Sequence, residues 1–365
     1  MDGLAVRLRV IEMKNFRNYA AATLSVAPGR NFLYGPNGAG KTNLLEAIYF
    51  SATGASFRAS RDTEVIGPTA ESALVRAQFF VGEIEVETAV EVFPQRKRIA
   101  RNGREVARSE LPDGVLLFTP DDIAVTAGGP QDRRRFFDRV FATLVPGYSK
   151  ALSIYHRVLM QRNGLLRRAR GAVTPPPDLY VWDETLADAA ATLCHLRLAG
   201  LRTVAPVAAA RFRFLTGKAL SLRYASAAPL GAGEGETRER VLAALHALKD
   251  EELRSGQTLT GPGRDDFVFL VEGRHLGRYG SRGEQRAAVL ALKLAEAEIK
   301  ERERREGLIY LLDDVFSELD VARQEALLAA TADRQVFFTS TQKACIPDAT
   351  CFRVADGAFY LEEEA

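Results

Sequence analysis

Through the first third of the chain, apolar and polar residues alternate. VRLRVIEMKNF, ALVRAQFFV and IEVETAVEVF return to an apolar side chain at about every second position, the period of a strand with one face on a core and the other in water. AATLSVAPG and RNFLYG read the same way. So does KRIARNGREVA, folded about Asn102–Gly103, the kind of dipeptide a two-residue hairpin turn favours. GVLLFTPDD is a buried strand running into a turn. From Pro130 the period changes. In PQDRRRFFDRVFATL, YSKALSIYHRVLMQRNGLLRRA and WDETLADAAATLCHLRLAGLRTVAPVAAARFRFL the apolar residues recur at three- and four-residue intervals, which predicts helices inserted into a β-rich frame. GAVTPPPD breaks this run, and ASAAPLGAGEGE reads as a flexible loop. No internal repeat is present, and no heptad run is long enough for an extended coiled coil.

The first change from strand to helix carries the chemistry. In YGPNGAGKTNLLEAIYF a short strand enters a glycine-rich turn, and Leu44, Leu45, Ile48 and Tyr49 then follow at helical spacing. Gly35, four residues, Gly40, Lys41 and Thr42 form the Walker A pattern. The loop Gly35, Pro36, Asn37, Gly38, Ala39 and Gly40 is expected to surround the phosphates of ATP with backbone N–H groups and a helix N-terminus. Lys41 would reach the β- and γ-phosphates and Thr42 would offer its hydroxyl to Mg2+. A glycine-rich turn capping an ordinary helix would need no strand before it.

A second element lies near the other end. GLIYLLDDVFSELD is an apolar strand, Leu308 to Leu312, ending in paired aspartates. Ligands of open α/β sheets sit at the carboxyl ends of such strands, which would bring Asp313 beside the Walker A loop as a Mg2+ ligand, with Asp314 placed to orient attacking water. About 27 residues before that strand, SRGEQ opens a helix in which Val289, Leu292 and Ile299 recur at helical intervals. The Ser281 hydroxyl, the Gly283 N–H and the helix dipole would together make a second anion site. In ABC-type ATPases a segment of this kind, here Ser281, Arg282, Gly283, Glu284 and Gln285, completes the nucleotide site of another copy. On its own it is equally an N-capped helix; its place one helix before the Walker B strand is what distinguishes it.

Composition narrows the class. The chain has 365 residues, enough for two lobes or one elaborated α/β domain. No apolar run approaches the ~18 residues of a membrane span, and no signal-peptide pattern opens the chain, so a cytoplasmic protein is expected. Cys194, Cys345 and Cys351 form no CxxC, and His156, His195, His246 and His275 lie far apart. A disulfide framework and an all-protein metal site are therefore not expected. Net charge is +2, but QRKRIARNGREVAR carries six positive residues and RVLMQRNGLLRRAR five arginines. Each is either a phosphate-tracking surface or a solvated face.

The set MKNFRNY, GPNGAGKTNLLEAIYF, LFTPDD, GGPQDRRRFFD, QRNGLLR, GPGRDDF, GSRGEQRAAVLALKLAE and YLLDDVFSELD resembles the RecF family, bacterial recombination mediator ATPases related to the SMC proteins. The match runs in family order through nearly the whole chain. Two positions depart: Gly263 stands where relatives usually have histidine, and Glu284 where glutamine is common. The resemblance implies an α/β ABC-type P-loop ATPase head with a β-rich N-terminal part and an inserted helical lobe. Its parts would be residues 1–128 with Walker A, an inserted lobe 129–225, and residues 226–365 with the signature and Walker B. It also implies a D-loop with Ser317 and Asp320, an ATP-held homodimer and slow DNA-stimulated hydrolysis. The partners would be double-stranded DNA, single/double-strand junctions, RecR and RecO. DNA contacts are expected among Arg96, Lys97, Arg98, Arg133, Arg134, Arg135, Arg167 and Arg168.

Two other readings stay open. A transporter ATPase would need a membrane partner, and its P-loop and signature are typically about a hundred residues apart, against about 240 here. A nucleotide-gated scaffold would bind ATP and hardly hydrolyse it.

Overall fold

The structure, a computed structural model, describes residues 4–171, 174–304, 306–344 and 346–362. Cys345 and part of the GAVTPPPD break lie outside them. Contacts divide the chain into residues 1–121 with 297–365, and residues 122–296. These limits differ from the expected 129 and 225, because residues 226–296 pack within the helical unit.

In the first unit the alternating segments become an antiparallel ribbon of strands. Leu4–Phe16 pairs with both Tyr19–Ser25 and Ala73–Val81, and Ile84–Val92 and Lys97–Arg101 extend the sheet. The long first strand changes parity midway: Val6 and Leu8 are buried, and so are Ile11 and Met13. A register shift between Leu8 and Val10 explains this, since one extra residue returns the apolar set to the core face. Asn102 and Gly103 both have positive φ, 49° and 75°, as the two central positions of a type I′ hairpin turn require.

A second, six-stranded sheet runs in the order Ala358–Glu362, Ala349–Ala355, Arg30–Tyr34, Val336–Ser340, Ile309–Leu312 and Val115–Phe118. All neighbours are parallel except the first pair. Ile309–Leu312 is buried at every position, as a central strand covered on both faces must be. The Lys41–Thr53 helix buries Leu44, Leu45, Ala47, Ile48 and Phe50 in the core formed with both sheets.

The second unit holds the predicted helices Pro130–Leu144, Tyr148–Arg168 and Leu179–Thr216, the last continuing through Pro206. A three-stranded sheet includes Leu220–Ala225 and Asp266–Val271. ASAAPLGAGEGE is not wholly a loop: the Glu234–Ala247 helix begins inside it. Gly231 N–H donates to Thr237 Oγ1 (2.9 Å) and Ala232 N–H to Glu236 (2.7 Å), so side chains of the helix's first turn hold the residues that lead into it. The unit contains buried charge. Arg162 is fully enclosed between Asp183 and Glu252 (2.7 Å to each). Arg197 donates to Asp138 and to the Pro262 carbonyl.

Candidate functional site

The parallel register brings the Walker elements together. Phe338 pairs with both Phe32 and Leu312, so the residues following these strands emerge on one edge. The Walker A loop leaves Tyr34 there, and Asp313 follows Leu312 beside Thr339, whose hydroxyl donates to Asp313 Oδ1 (2.6 Å). Two glycines are compelled by space. A Cβ on Gly35 would lie 2.2 Å from the Val354 carbonyl oxygen; one on Gly40, at φ 116°, would lie 2.6 Å from Tyr19 Oη.

The result is a polar cavity of about 360 Å³ whose lining includes Gly38, Gly40, Lys41, Thr42, Asp313 and Asp314. Lys41 is buried and donates from Nζ to the carbonyls of Gly35 (2.7 Å) and Pro36 (2.9 Å). Burial lowers its pKa, and Asp313 and Asp314 pull it partly back. Thr42 Oγ1 donates to the Asp313 carboxylate at 2.9–3.0 Å. Burial raises the Asp313 pKa, and Asp314 adds to the rise while the Thr339 and Thr42 hydroxyls oppose it. Asp314 sits in the left-handed region at φ 46°; its N–H donates to Thr339 Oγ1 (2.9 Å). Asp314 Oδ2 accepts from Ser317 Oγ (2.9 Å), whereas Oδ1 is buried and accepts from no described residue.

The donor set fits a Mg2+–triphosphate. A hydroxyl and a carboxylate already within hydrogen-bond distance are hard oxygen ligands, and Asp314, with one buried oxygen lacking a donor, lines the same cavity. Among the described residues no group of three His, Cys, Asp or Glu could hold a metal. Thr42 and Asp313 would hold Mg2+ with phosphate oxygens and water completing its shell, and the ion would supply charge neutralisation at the phosphates.

Several residues of this site were not evident from the sequence. Tyr19 Oη donates to the Gly40 carbonyl (3.0 Å) and Asn18 Nδ2 to the Ala39 carbonyl (3.2 Å), so the RNY of MKNFRNY braces the phosphate loop from outside. Arg17 makes two bonds to buried Glu46 on the Walker A helix (2.9 and 2.6 Å). Arg58 lines the cavity and donates to Asn43 Oδ1 (2.9 Å), adding a second cation where phosphate charge would sit. The visible signal was Arg58 close after the Walker A helix; nothing local marked its direction.

Ser281 is exposed at the start of the Arg282–Arg304 helix, in the second unit. Its hydroxyl accepts from Glu284 N–H (3.2 Å), and Glu284 returns a carboxylate oxygen to Ser281 N–H (2.7 Å), a reciprocal cap. Glu284, standing where glutamine is common, thus closes the cap on Ser281. Gly263 also has a reason: its N–H donates to Tyr155 Oη (2.9 Å), and a Cβ there would lie 3.1 Å from the same oxygen. Of the D-loop pair, Ser317 is exposed and bonded to Asp314, while Asp320 caps the Val321–Ala330 helix through Arg323 N–H (3.0 Å).

The basic candidates divide. Arg96, Arg98, Arg135, Arg167 and Arg168 are exposed. Lys97 is tied to Asp62 (2.7 Å) and the Gly54 carbonyl (2.9 Å), and Arg134 to the Asp265 carbonyl (2.6 Å). Arg133 is corrected outright: it is buried, with two bonds to Asp266 (2.7 and 2.9 Å) and one to the Gly128 carbonyl, which leaves its guanidinium no face for DNA.

Comparison with known proteins agrees with this geometry. The family described as RecF/RecN/SMC N terminal domain matches residues 7–356. The DNA replication and repair protein RecF of Pelotomaculum thermopropionicum is 42% identical over 343 residues, 92% of this chain and 94% of the relative. That of Symbiobacterium thermophilum is 39% identical over 373 residues, 98% of each. The structure of the recombination mediator protein RecF-ATPrS in the RecFOR pathway superposes with a TM-score of 0.88 at 30% identity, covering 99% of this chain and all of the other. An Smc head domain from Pyrococcus furiosus, at a TM-score of 0.56 and 17% identity over 98% and 96% of the two chains, shares the fold alone. The fold is an α/β ABC-type ATPase head, no helix among the described residues is long and apolar enough to cross a membrane, and the chain belongs to the RecF family.

Proposed function

We propose that the chain is an ATP-dependent DNA-binding recombination mediator that acts in repair and replication restart. ATP binds in the cavity with Lys41 on its phosphates and Mg2+ on Thr42 and Asp313. Ser281 and Gly283 of a second copy then close over the γ-phosphate, so ATP holds a homodimer together. The dimer binds double-stranded DNA and junctions at gaps, cooperates with RecR and RecO in loading recombinase, and is released by slow hydrolysis. Arg96, Arg98, Arg135, Arg167 and Arg168 are the DNA contacts this reading retains. The ATP-bound relatives support the nucleotide, and the RecFOR pathway named for those relatives supports the partners.

The observation that carries the hydrolytic half is Asp314, which lines the same cavity as Lys41, Thr42 and Asp313. Its carboxylate is the acceptor for attacking water, and orientation of that water is what the residue contributes. Release of γ-phosphate measured with and without duplex DNA tests the proposal. We expect slow turnover that DNA accelerates, and Asp314→Asn is expected to retain nucleotide while losing most of that turnover. A transporter subunit would show no ATP-dependent DNA affinity; a scaffold would show binding without turnover.

A further inference from the structure

Glu284 places a negative charge in the first turn of the helix that, on the reading just given, receives the partner's γ-phosphate. A carboxylate there cancels much of the roughly half-unit positive charge that makes a helix N-terminus attractive to phosphate. The chain carries a counter-charge for it. Lys218 Nζ donates to Glu284 Oε1 (2.6 Å) while Oε2 accepts from Ser281 N–H (2.7 Å), so both carboxylate oxygens are engaged. Together these donors hold the Glu284 carboxyl below its ordinary pKa, Lys218 contributing most.

Lys218 is not on a long loop. It follows Gly217, the left-handed cap (φ 73°) of the Leu179–Thr216 helix, and its own N–H donates to Thr216 Oγ1 (3.2 Å). The next residue, Ala219, donates from its N–H to Glu272 (2.5 Å). The ammonium is thus delivered to Glu284 by a turn fixed on both sides. Half of the lysine side chain stays exposed (52%), against 13% for Glu284, so the cation lies on the solvent side of the pair.

We propose that Lys218 is a positioning residue for ATP-driven dimerisation: it neutralises Glu284 and so allows a signature carrying glutamate to accept a triphosphate from a second copy of this chain. The inference rests on the trans arrangement proposed above. Lys218→Met leaves the Glu284 carboxylate without its counter-charge; at a separation on the order of 10 Å from the arriving phosphate the repulsion is roughly 1–1.5 kcal/mol at an intermediate dielectric, or about tenfold per composite site. Two such sites make the symmetric dimer roughly a hundredfold weaker.

Sedimentation of the full-length protein with Mg-ATP over a concentration series, for wild type, Lys218→Met, Lys218→Arg, Glu284→Gln and the Lys218→Met/Glu284→Gln double variant, tests this. The proposal expects Lys218→Met to weaken the dimer, Lys218→Arg to keep it, Glu284→Gln to match or exceed wild type, and the double variant to return within a few-fold of wild type. A tie that merely held two segments together would stay broken in the double variant, since neither side chain could restore it; equal weakening of Lys218→Met and the double variant overturns the proposal. Wild-type dimers that form with ATP and ignore Lys218→Met overturn it alone, whereas wild type that never dimerises overturns the trans arrangement together with it.

Discussion

Lys41→Met separates the lysine's part in folding from its part in binding. The side chain is only 8% exposed, and its three-donor ammonium is turned onto the Gly35 and Pro36 carbonyls at 2.7 and 2.9 Å. Methionine fills similar space and removes the charge. In the ligand-free protein two hydrogen bonds are lost, at roughly 1 kcal/mol each net, but the cost of burying a cation is relieved as well, which the lowered lysine pKa reflects. The expected loss of stability is therefore about 1 kcal/mol, a fall of roughly 2–4 °C in melting temperature. With ATP the balance is different. Charge-assisted bonds to two phosphates, at about 1.5–3 kcal/mol each, have no replacement, so affinity is expected to fall roughly a hundred- to twenty-thousandfold. Calorimetric titration with Mg-ATP, beside a thermal melt, measures both quantities. A variant that melts normally and still binds within tenfold of wild type would refute the placement of the phosphates against Lys41.

Arg133→Met is expected to act on stability rather than on DNA, costing about 3–5 kcal/mol by leaving Asp266 half-buried and unpaired, with partial recovery in an Arg133→Met/Asp266→Asn double variant; urea unfolding reads it. Neutralising exposed Arg167 and Arg168 should instead leave the urea midpoint unchanged and flatten the salt dependence of duplex affinity by about one unit of slope per lost contact. The raised pKa of Asp313 gives a pH dependence of definite sign: the ionised form must accept Mg2+, so Mg-ATP affinity should fall as pH falls through a pKa above the usual 3.8, and Asp313→Asn should bind weakly with that dependence removed. Titration of affinity against pH, with the two proteins side by side, checks the direction.

What could be read from the chain alone follows the range over which each signal acts. Walker A is legible because its chemistry is local: glycine, lysine and threonine must be consecutive to wrap one phosphate group. Asp313 was legible for a related reason, since a parallel sheet brings its strand ends to one edge whatever lies between them. Asn18, Tyr19 and Thr339 were not, because they reach the loop or Asp313 only through strand register. Arg133 misled for the complementary reason: a run of three arginines is visible in sequence, while its partner Asp266 lies 133 positions away. The slip in period between Leu8 and Ile11 has no local explanation until the bulge is seen. ASAAPLGAGEGE resembled a loop by composition, yet Thr237 and Glu236 accept from the Gly231 and Ala232 N–H groups and fasten the residues leading into a helix that starts within it.

Assembly by ATP is the central claim, and a mixture of two crippled proteins tests it most directly. Lys41→Met retains a sound signature with a damaged phosphate loop, and Ser281→Arg retains a sound phosphate loop while placing bulk and charge where the partner's γ-phosphate would be received. Neither variant alone can build an intact composite site; a mixed dimer has one. Sedimentation velocity with Mg-ATP should show wild type as dimers, each variant alone as monomers, and the mixture recovering a dimer fraction that disappears when ATP is omitted. Ser281→Arg dimerising like wild type, or a mixture no different from its separate components, would contradict a nucleotide held between two copies of this chain.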